Sequence, residues 1–200
     1  MDAVSRLTSM GSSSLAGHLG DLSEVPEIIR PLVDSKNGFY AFESALYVLP
    51  WGDIERSAQH WNSPDLWTRE YGDPVSGLLF FAEDAFGFQF AAGMDGIYSF
   101  NPEIAERELV ASTVDSWASL ILDDYEMQTG FPVIHEWQQK NGAISKGCRL
   151  APVVPFFLGG KFEAEEMRMK ESVSLMRFRA DVYRQVEGLP DGTQIRMRIE

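Results

Sequence analysis

The chain has 200 residues, 44% of them hydrophobic, and a formal net charge of −13. That length makes one large domain or two small ones, able to bury roughly 70% of the unfolded surface without a disulfide or metal staple. One cysteine, Cys148, excludes an intrachain disulfide and fits a reducing compartment, while the acidic balance has the wrong sign for nucleic acid or an anionic membrane.

Residues 1–22 are rich in Ser and Gly, and a loosely ordered segment with at most a short helix is expected there. They lack the apolar stretch of a secretory leader, and no apolar run in the chain approaches the ~20 residues that span a bilayer. A cytoplasmic protein is therefore expected. Ser23 as N-cap and Pro26 in the first turn predict a helix over 25–33. In "NGFYAFESALYVLP", Asn37-Gly38 marks a turn. Phe39, Phe42, Ala45 and Leu46 then recur at helical spacing, and Pro50 ends the element. Residues 51–73 read as a loop holding a short helix near 65–71.

A β region follows. "LLFFA" is a strand, and "FGFQFA" alternates, with Phe86, Phe88 and Phe90 on one side. Asp95-Gly96 is a hairpin signal, "IYSF" returns, and "ELVA" adds a strand. The connections suit an antiparallel meander and are too short for parallel crossovers. "STVDSWASLILDDYE" is a helix with an S-x-x-D cap from Ser112 and Asp115 and an apolar stripe of Val114, Trp117, Leu120, Ile121 and Tyr125. A second helix runs over 132–140 and stops before Asn141-Gly142. "LAPVVPFFLGG" is an extended connection or edge strand. A last helix covers 172–186, and "TQIRMRIE" alternates as a strand. With no internal repeat and helices interleaved with strands, one domain is expected, residue 160 being the candidate seam.

Charge changes at that seam. Residues 1–160 hold nine Lys or Arg against twenty-two Asp or Glu, and residues 161–200 hold eight of each. Such a body steers toward basic partners, although solubility alone is the competing explanation. Reactive motifs are sparse. "HEWQQ" has Gln139 where the H-E-x-x-H zinc pattern needs its second histidine, so His135 is expected on a helix surface or in packing. Cys148 lies in the basic stretch "SKGCRL", but no dyad partner is near it in sequence. Walker and dinucleotide-binding loops are absent. Glu83-Asp84, set between phenylalanines, is readable as a catalytic pair, as a turn in which Asp84 binds backbone N–H groups and Gly87 takes the bend, or as part of a docking surface. Asp123, Asp124 and Glu126 in the last turn of their helix oppose its dipole.

The segments "NGFYAFESALYVLP", "LLFFAEDAFGFQFAAGMDGIYSFNPE", "DSWASLILDDYEMQTGFPVIHEWQQKNGA" and "MRFRADVYRQVEGLPDG", in that order over residues 25–199, resemble the SUKH superfamily. This family includes the Smi/Knr cell-wall regulators of yeast and many bacterial toxin-immunity proteins. The resemblance implies one α+β domain over residues 23–200, with a mainly antiparallel twisted sheet (central meander about residues 78–111) flanked by helices. It implies binding to a cognate polymorphic-toxin domain, often a basic nuclease, with no catalytic, metal or cofactor site. The acidic body makes Glu83, Asp84, Asp95, Asp53, Glu55, Asp123 and Asp124 the candidate contacts. Trp51 and Trp61 are candidate aromatic anchors, a role that competes with the core. The alternatives are a regulatory scaffold of the same fold binding cellular proteins, and an enzyme using Glu83 and Asp84.

Overall fold

The computed structural model describes residues 1–190 and 192–194. Six strands form one antiparallel sheet in which chain order is spatial order: β1 (Phe39–Ala41), β2 (Leu46–Val48), β3 (Leu79–Glu83), β4 (Gln89–Ala92), β5 (Ile97–Asn101) and β6 (Glu106–Ala111). Short connections dictate the meander from β3 to β6, since a chain that turns within a few residues can only return antiparallel. At the β4–β5 turn, a Cβ on Gly96 would lie 2.4 Å from the Ala111 carbonyl oxygen, so Asp95-Gly96 holds the close approach that its sequence suggests.

The helix expected over Phe39–Leu49 is instead the β1–β2 hairpin, with Phe39 opposite Val48 and Ala41 opposite Leu46. Phe42, Glu43 and Ser44 take φ values of 51°, 54° and 73°, a left-handed turn that no helix tolerates. Phe42 offsets that cost by stacking on Tyr125 at 4.7 Å. The apolar spacing fits a helix locally, but pairing β2 to β3 (Val48 to Ala82) buries the same residues in a sheet.

Among the described residues, eight helices surround these strands: α1 (Ala3–Met10), α2 (Arg30–Ser35), α3 (Ala58–Trp61), α4 (Arg69–Tyr71), α5 (Val114–Asp123), α6 (Tyr125–Thr129), α7 (Phe131–Asn141) and α8 (Ser172–Val186). Both sheet faces are covered. On one, Trp117 of α5 packs its edge on Phe81 and Phe90, at 5.0 and 5.5 Å. On the other, Trp67 meets Trp61, Tyr71 and Phe80, and Tyr71 also touches Phe100 and, on α8, Tyr183.

The N-terminal residues are part of this core and not a loose extension. Asp2 caps α1 by accepting from Ser5 N at 2.7 Å, and Val4 and Leu7 are buried. Asp115 accepts from Val4 N at 3.0 Å, tying α1 to α5. Asp115 is therefore spent between helices, and the cap of α5 is Thr113, whose Oγ1 accepts from Ser116 N at 3.1 Å, not Ser112. Only three residues near 27–29 form a tight turn before α2, so the expected 25–33 helix begins later than its capping signal suggests.

A second, smaller core lies at the end of the sheet that carries the β3–β4 turn. Strands β7 (Cys148–Pro152) and β8 (Met167–Glu171) pair antiparallel, with Leu150 opposite Met169. Phe86, Ile134, Trp137, Leu150 and Met167 pack between them and α7. The β3–β4 turn joins the two cores: Ala85 N donates to Thr129 O at 3.1 Å, and Leu150 N donates to Ala85 O at 2.9 Å. The change of charge at residue 160 is no seam, because β7 and β8 pair across it. The molecule is one α+β domain. α7 stops at Gly142, with φ 85°, and α8 covers the predicted 172–186. Ile195 to Glu200, the alternating part of the last predicted strand, lie outside the described residues.

Candidate functional site

Five charged side chains are buried together where the β3–β4 and β5–β6 turns meet β7 and α8. Glu83, Asp84, Glu103, Arg149 and Arg179 are each no more than 8% exposed. Arg149 Nε lies 3.0 Å from Glu83 Oε1, and Arg179 Nη2 lies 3.6 Å from Glu103 Oε1. Both arginines approach Gly87, and a Cβ there would stand 3.4 Å from Arg179 Nη1 and 3.7 Å from Arg149 Cγ. A buried charge is tolerated only when its remaining valences are met. Glu83 Oε2 accepts from Gln89 at 3.2 Å, and Gln89 Oε1 accepts from Trp61 Nε1 at 2.8 Å. Glu103 Oε2 accepts from Phe157 N at 3.1 Å, and Arg179 Nη1 donates to Phe86 O at 2.8 Å. Arg149 lies over the Tyr47 ring and Arg179 over that of Phe88. Arg149 Nη2 has no hydrogen-bond partner among the described residues.

Asp84 settles the question its sequence poses. Its Oδ1 accepts from Phe86 N at 2.8 Å and Phe88 N at 2.9 Å, and Gly87 turns with φ 78°. This is the expected turn. Burial pushes the Asp84 carboxyl up to about 7, against the pull of those two N–H groups and of Arg179 and Arg149. Burial likewise pushes Arg179 down, opposed chiefly by Glu103. The cluster is closed to solutes of any size. The adjoining cavity, walled by Glu103, Arg179, Pro155, Phe157, Phe178 and Val182, holds about 20 Å³, the room of a single water. Chemically, the five groups lock β7 and α8 to the sheet end.

The predicted contacts therefore separate into two sets. Glu83, Asp84, Trp51 and Trp61 are buried and cannot form a docking surface in this fold. The carboxylates hold turns and arginines. Trp61 joins the aromatic core, and Trp51 N donates to buried Asn37 Oδ1 at 2.7 Å. Asp53, Glu55, Asp95, Asp123 and Asp124 are exposed. Asp53 and Glu55 line an open depression with Ile54, Gln59 and His60. Asp95 accepts from Tyr98 Oη at 2.6 Å at the β4–β5 turn. Asp123 and Asp124 stand at the break between α5 and α6. The chain leaves helical geometry at Asp124 (φ −147°, ψ 54°), so Glu126 falls in the first turn of α6 and not in the last turn of α5. These five stand on three separate stretches of the chain.

Two surface features escape a motif search. Glu106 and Glu108 stand exposed on β6, a strand read only from its apolar end. Val153, Val154, Leu158 and Phe162, in the 153–162 connection, are also exposed, with Phe162 stacked on Phe156 at 3.8 Å. The alternation of Glu-Arg-Glu-Leu is the signal for the first. The apolar run between prolines reads equally as core, which hides the second. His135 is half-exposed, with Nδ1 2.8 Å from Glu43 Oε2 and Nε2 2.9 Å from the Gln139 amide, which is the helix-surface role expected of it. Among the described residues, no helix is long and apolar enough to cross a membrane.

No family model matches the chain, and no curated protein matches it. Among solved structures it is similar to Atu4351 from Agrobacterium tumefaciens, at 15% identity and a TM-score of 0.58. That match covers 88% of this chain and 87% of the other. At such identity the likeness is one of fold.

Proposed function

We propose that this protein is a SUKH-type immunity protein, which acts in the cytoplasm by binding a cognate toxin domain stoichiometrically and performs no turnover of its own. The observation that carries this reading is where the charges lie. Of the acids in residues 1–160, all but Glu70, Glu83, Asp84 and Glu103 are exposed, while Arg149 and Arg179 are drawn inside. Among the described residues burial removes three acids and two arginines, so nearly all of the net charge of −13 is carried on the exterior. Such a field speeds encounter with a basic protein and penalises wrong partners. The segments resembling the SUKH superfamily supply the class of partner, a toxin domain such as a basic nuclease. Asp53, Glu55, Asp95, Asp123 and Asp124 are the predicted acidic contacts that the fold leaves available to it.

The test is co-expression with the toxin domain encoded beside this gene, together with calorimetric titration of the two purified proteins. Restored growth and a one-to-one complex are expected. Absence of both rescue and binding overturns the proposal.

A further inference from the structure

The two edges of the sheet are finished differently. Outside β1 the chain covers its own edge: Ser12 N donates to Tyr40 O at 2.7 Å, Leu15 N to Gly38 O at 2.9 Å, and Ala16 N to Asn37 O at 3.1 Å. Outside β6 none of the described residues does so. β6 pairs with β5 from Glu106 to Ala111, and among the described residues no other backbone hydrogen bond reaches it. Glu106, Arg107, Glu108 and Leu109 are all exposed, Leu109 at 49%. An unpaired strand edge is a row of N–H and C=O groups ready to accept another strand.

The side chains on this edge select what could be added. Glu108 lies opposite Ser99, which lies opposite Phe90, so Glu106 and Glu108 stand on the α5 face. Arg107 and Leu109 stand on the other face. Arg107 is engaged within the chain: it donates to Ser76 O at 3.0 Å and lies over the Tyr98 ring. Glu106 and Glu108 make no ion pair among the described residues, so the free charge of the edge is negative. A second copy fits poorly. Antiparallel β6 pairs centred on Arg107 or Glu108 would set like charges opposite each other, and each copy carries −13.

We propose that β6 is the seat of an extended segment of a basic partner protein, which adds to the sheet as a seventh strand. This rests on the reading of the chain as a binder of a basic protein. Lys or Arg at alternate positions of that segment would face Glu106 and Glu108, and an apolar residue would cover Leu109. Main-chain hydrogen bonds supply affinity and the alternating side chains supply selectivity.

The test uses the full chain and two end-blocked nine-residue peptides of equal charge, one alternating Lys with Val and one alternating Lys with Pro. The Pro peptide lacks the main-chain donor at every second residue and is held in polyproline II geometry, which forms no ladder. With the Val peptide, exchange of the β6 amides that face away from β5 should slow at least about tenfold, with no such change from the Pro peptide. Glu106→Lys with Glu108→Lys, both on exposed positions, should weaken Val-peptide binding at least about tenfold while leaving thermal unfolding unchanged. Equal binding of the two peptides, protection elsewhere than β6, or self-association through β6 in the free protein overturns the proposal and leaves the charges as a guard against edge pairing. The neighbouring toxin domain separates the two readings. If it binds wild type and the double variant equally, the edge assignment fails and the immunity reading stands. If it does not bind while the Val peptide adds to β6, the reverse holds.

Discussion

Asp84 and Arg179 show how much a single buried charge decides here. Asp84 has an unperturbed carboxyl near 3.8 when unfolded and near 7 in the fold. The folded state thus holds a proton that the unfolded state has released between those values. That contribution is complete below about pH 4 and is lost as pH rises through 7, so wild type should be more stable at pH 5 than at pH 8, by at most about 3 kcal/mol. Asp84→Asn keeps an oxygen for the Phe86 and Phe88 N–H groups and should remove this difference. Denaturant unfolding of both proteins across pH 5–8 checks it, and parallel curves would refute the assignment. For Arg179, substitution by Met strands buried Glu103 without its cation and should cost about 3–5 kcal/mol. Adding Glu103→Gln should recover at least half of that, as a double-mutant cycle would measure. Of these residues, only the Asp84 turn could be anticipated. Asp-x-x-Gly between strands is local chemistry, whereas the arginines that complete the cluster arrive from 65 and 95 positions further along the chain.

Among the elements, α1 is the one whose importance sequence reading underrates. Its single apolar stripe, Val4 and Leu7, is too short to be stable as an isolated helix, and it exists because α5 and β1 offer it a surface. Leu7→Ala should therefore cost about 3 kcal/mol in denaturant unfolding, as a core residue does and a disordered tail does not. A change within about 0.5 kcal/mol would place α1 outside the folding unit. The junction of α6 and α7 is equally strict. Gly130 has φ 69°, and a Cβ there would stand 2.3 Å from the Phe86 ring. Gly130→Ala should destabilise by more than the ~1 kcal/mol of backbone strain alone, with Phe86→Leu relieving part of it. The β1–β2 hairpin marks the opposite failure of local reading. Its apolar spacing serves helix and strand alike, and the choice was made by the edge of β3.

For the whole molecule, the exposed excess of acids predicts the kinetics of the proposed complex. If the proposed toxin domain is the partner, its association should slow at least about tenfold between about 0.05 and 0.5 M NaCl, with the dissociation rate little changed. Stopped-flow mixing at several salt concentrations measures both rates. A salt-independent association rate would mean that the acids serve solubility alone.

What local chemistry could decide was legible without coordinates: the meander of short returning strands, a helix within 112–126 and those over 132–140 and 172–186, the Asp95-Gly96 and Asp84-to-Gly87 turns, and an acidic composition. Each depends on residues within a few positions of one another, where period, capping and turn preference act. The tertiary structure alone decided that Glu83 and Asp84 face inward, that Trp51 and Trp61 belong to the core, that residues 3–16 complete the domain, and that one sheet edge is covered while no described residue pairs outside β6. Those outcomes depend on burial against distant segments. A carboxylate or an indole has the same local signature whether water or an arginine from the far end of the chain comes to meet it.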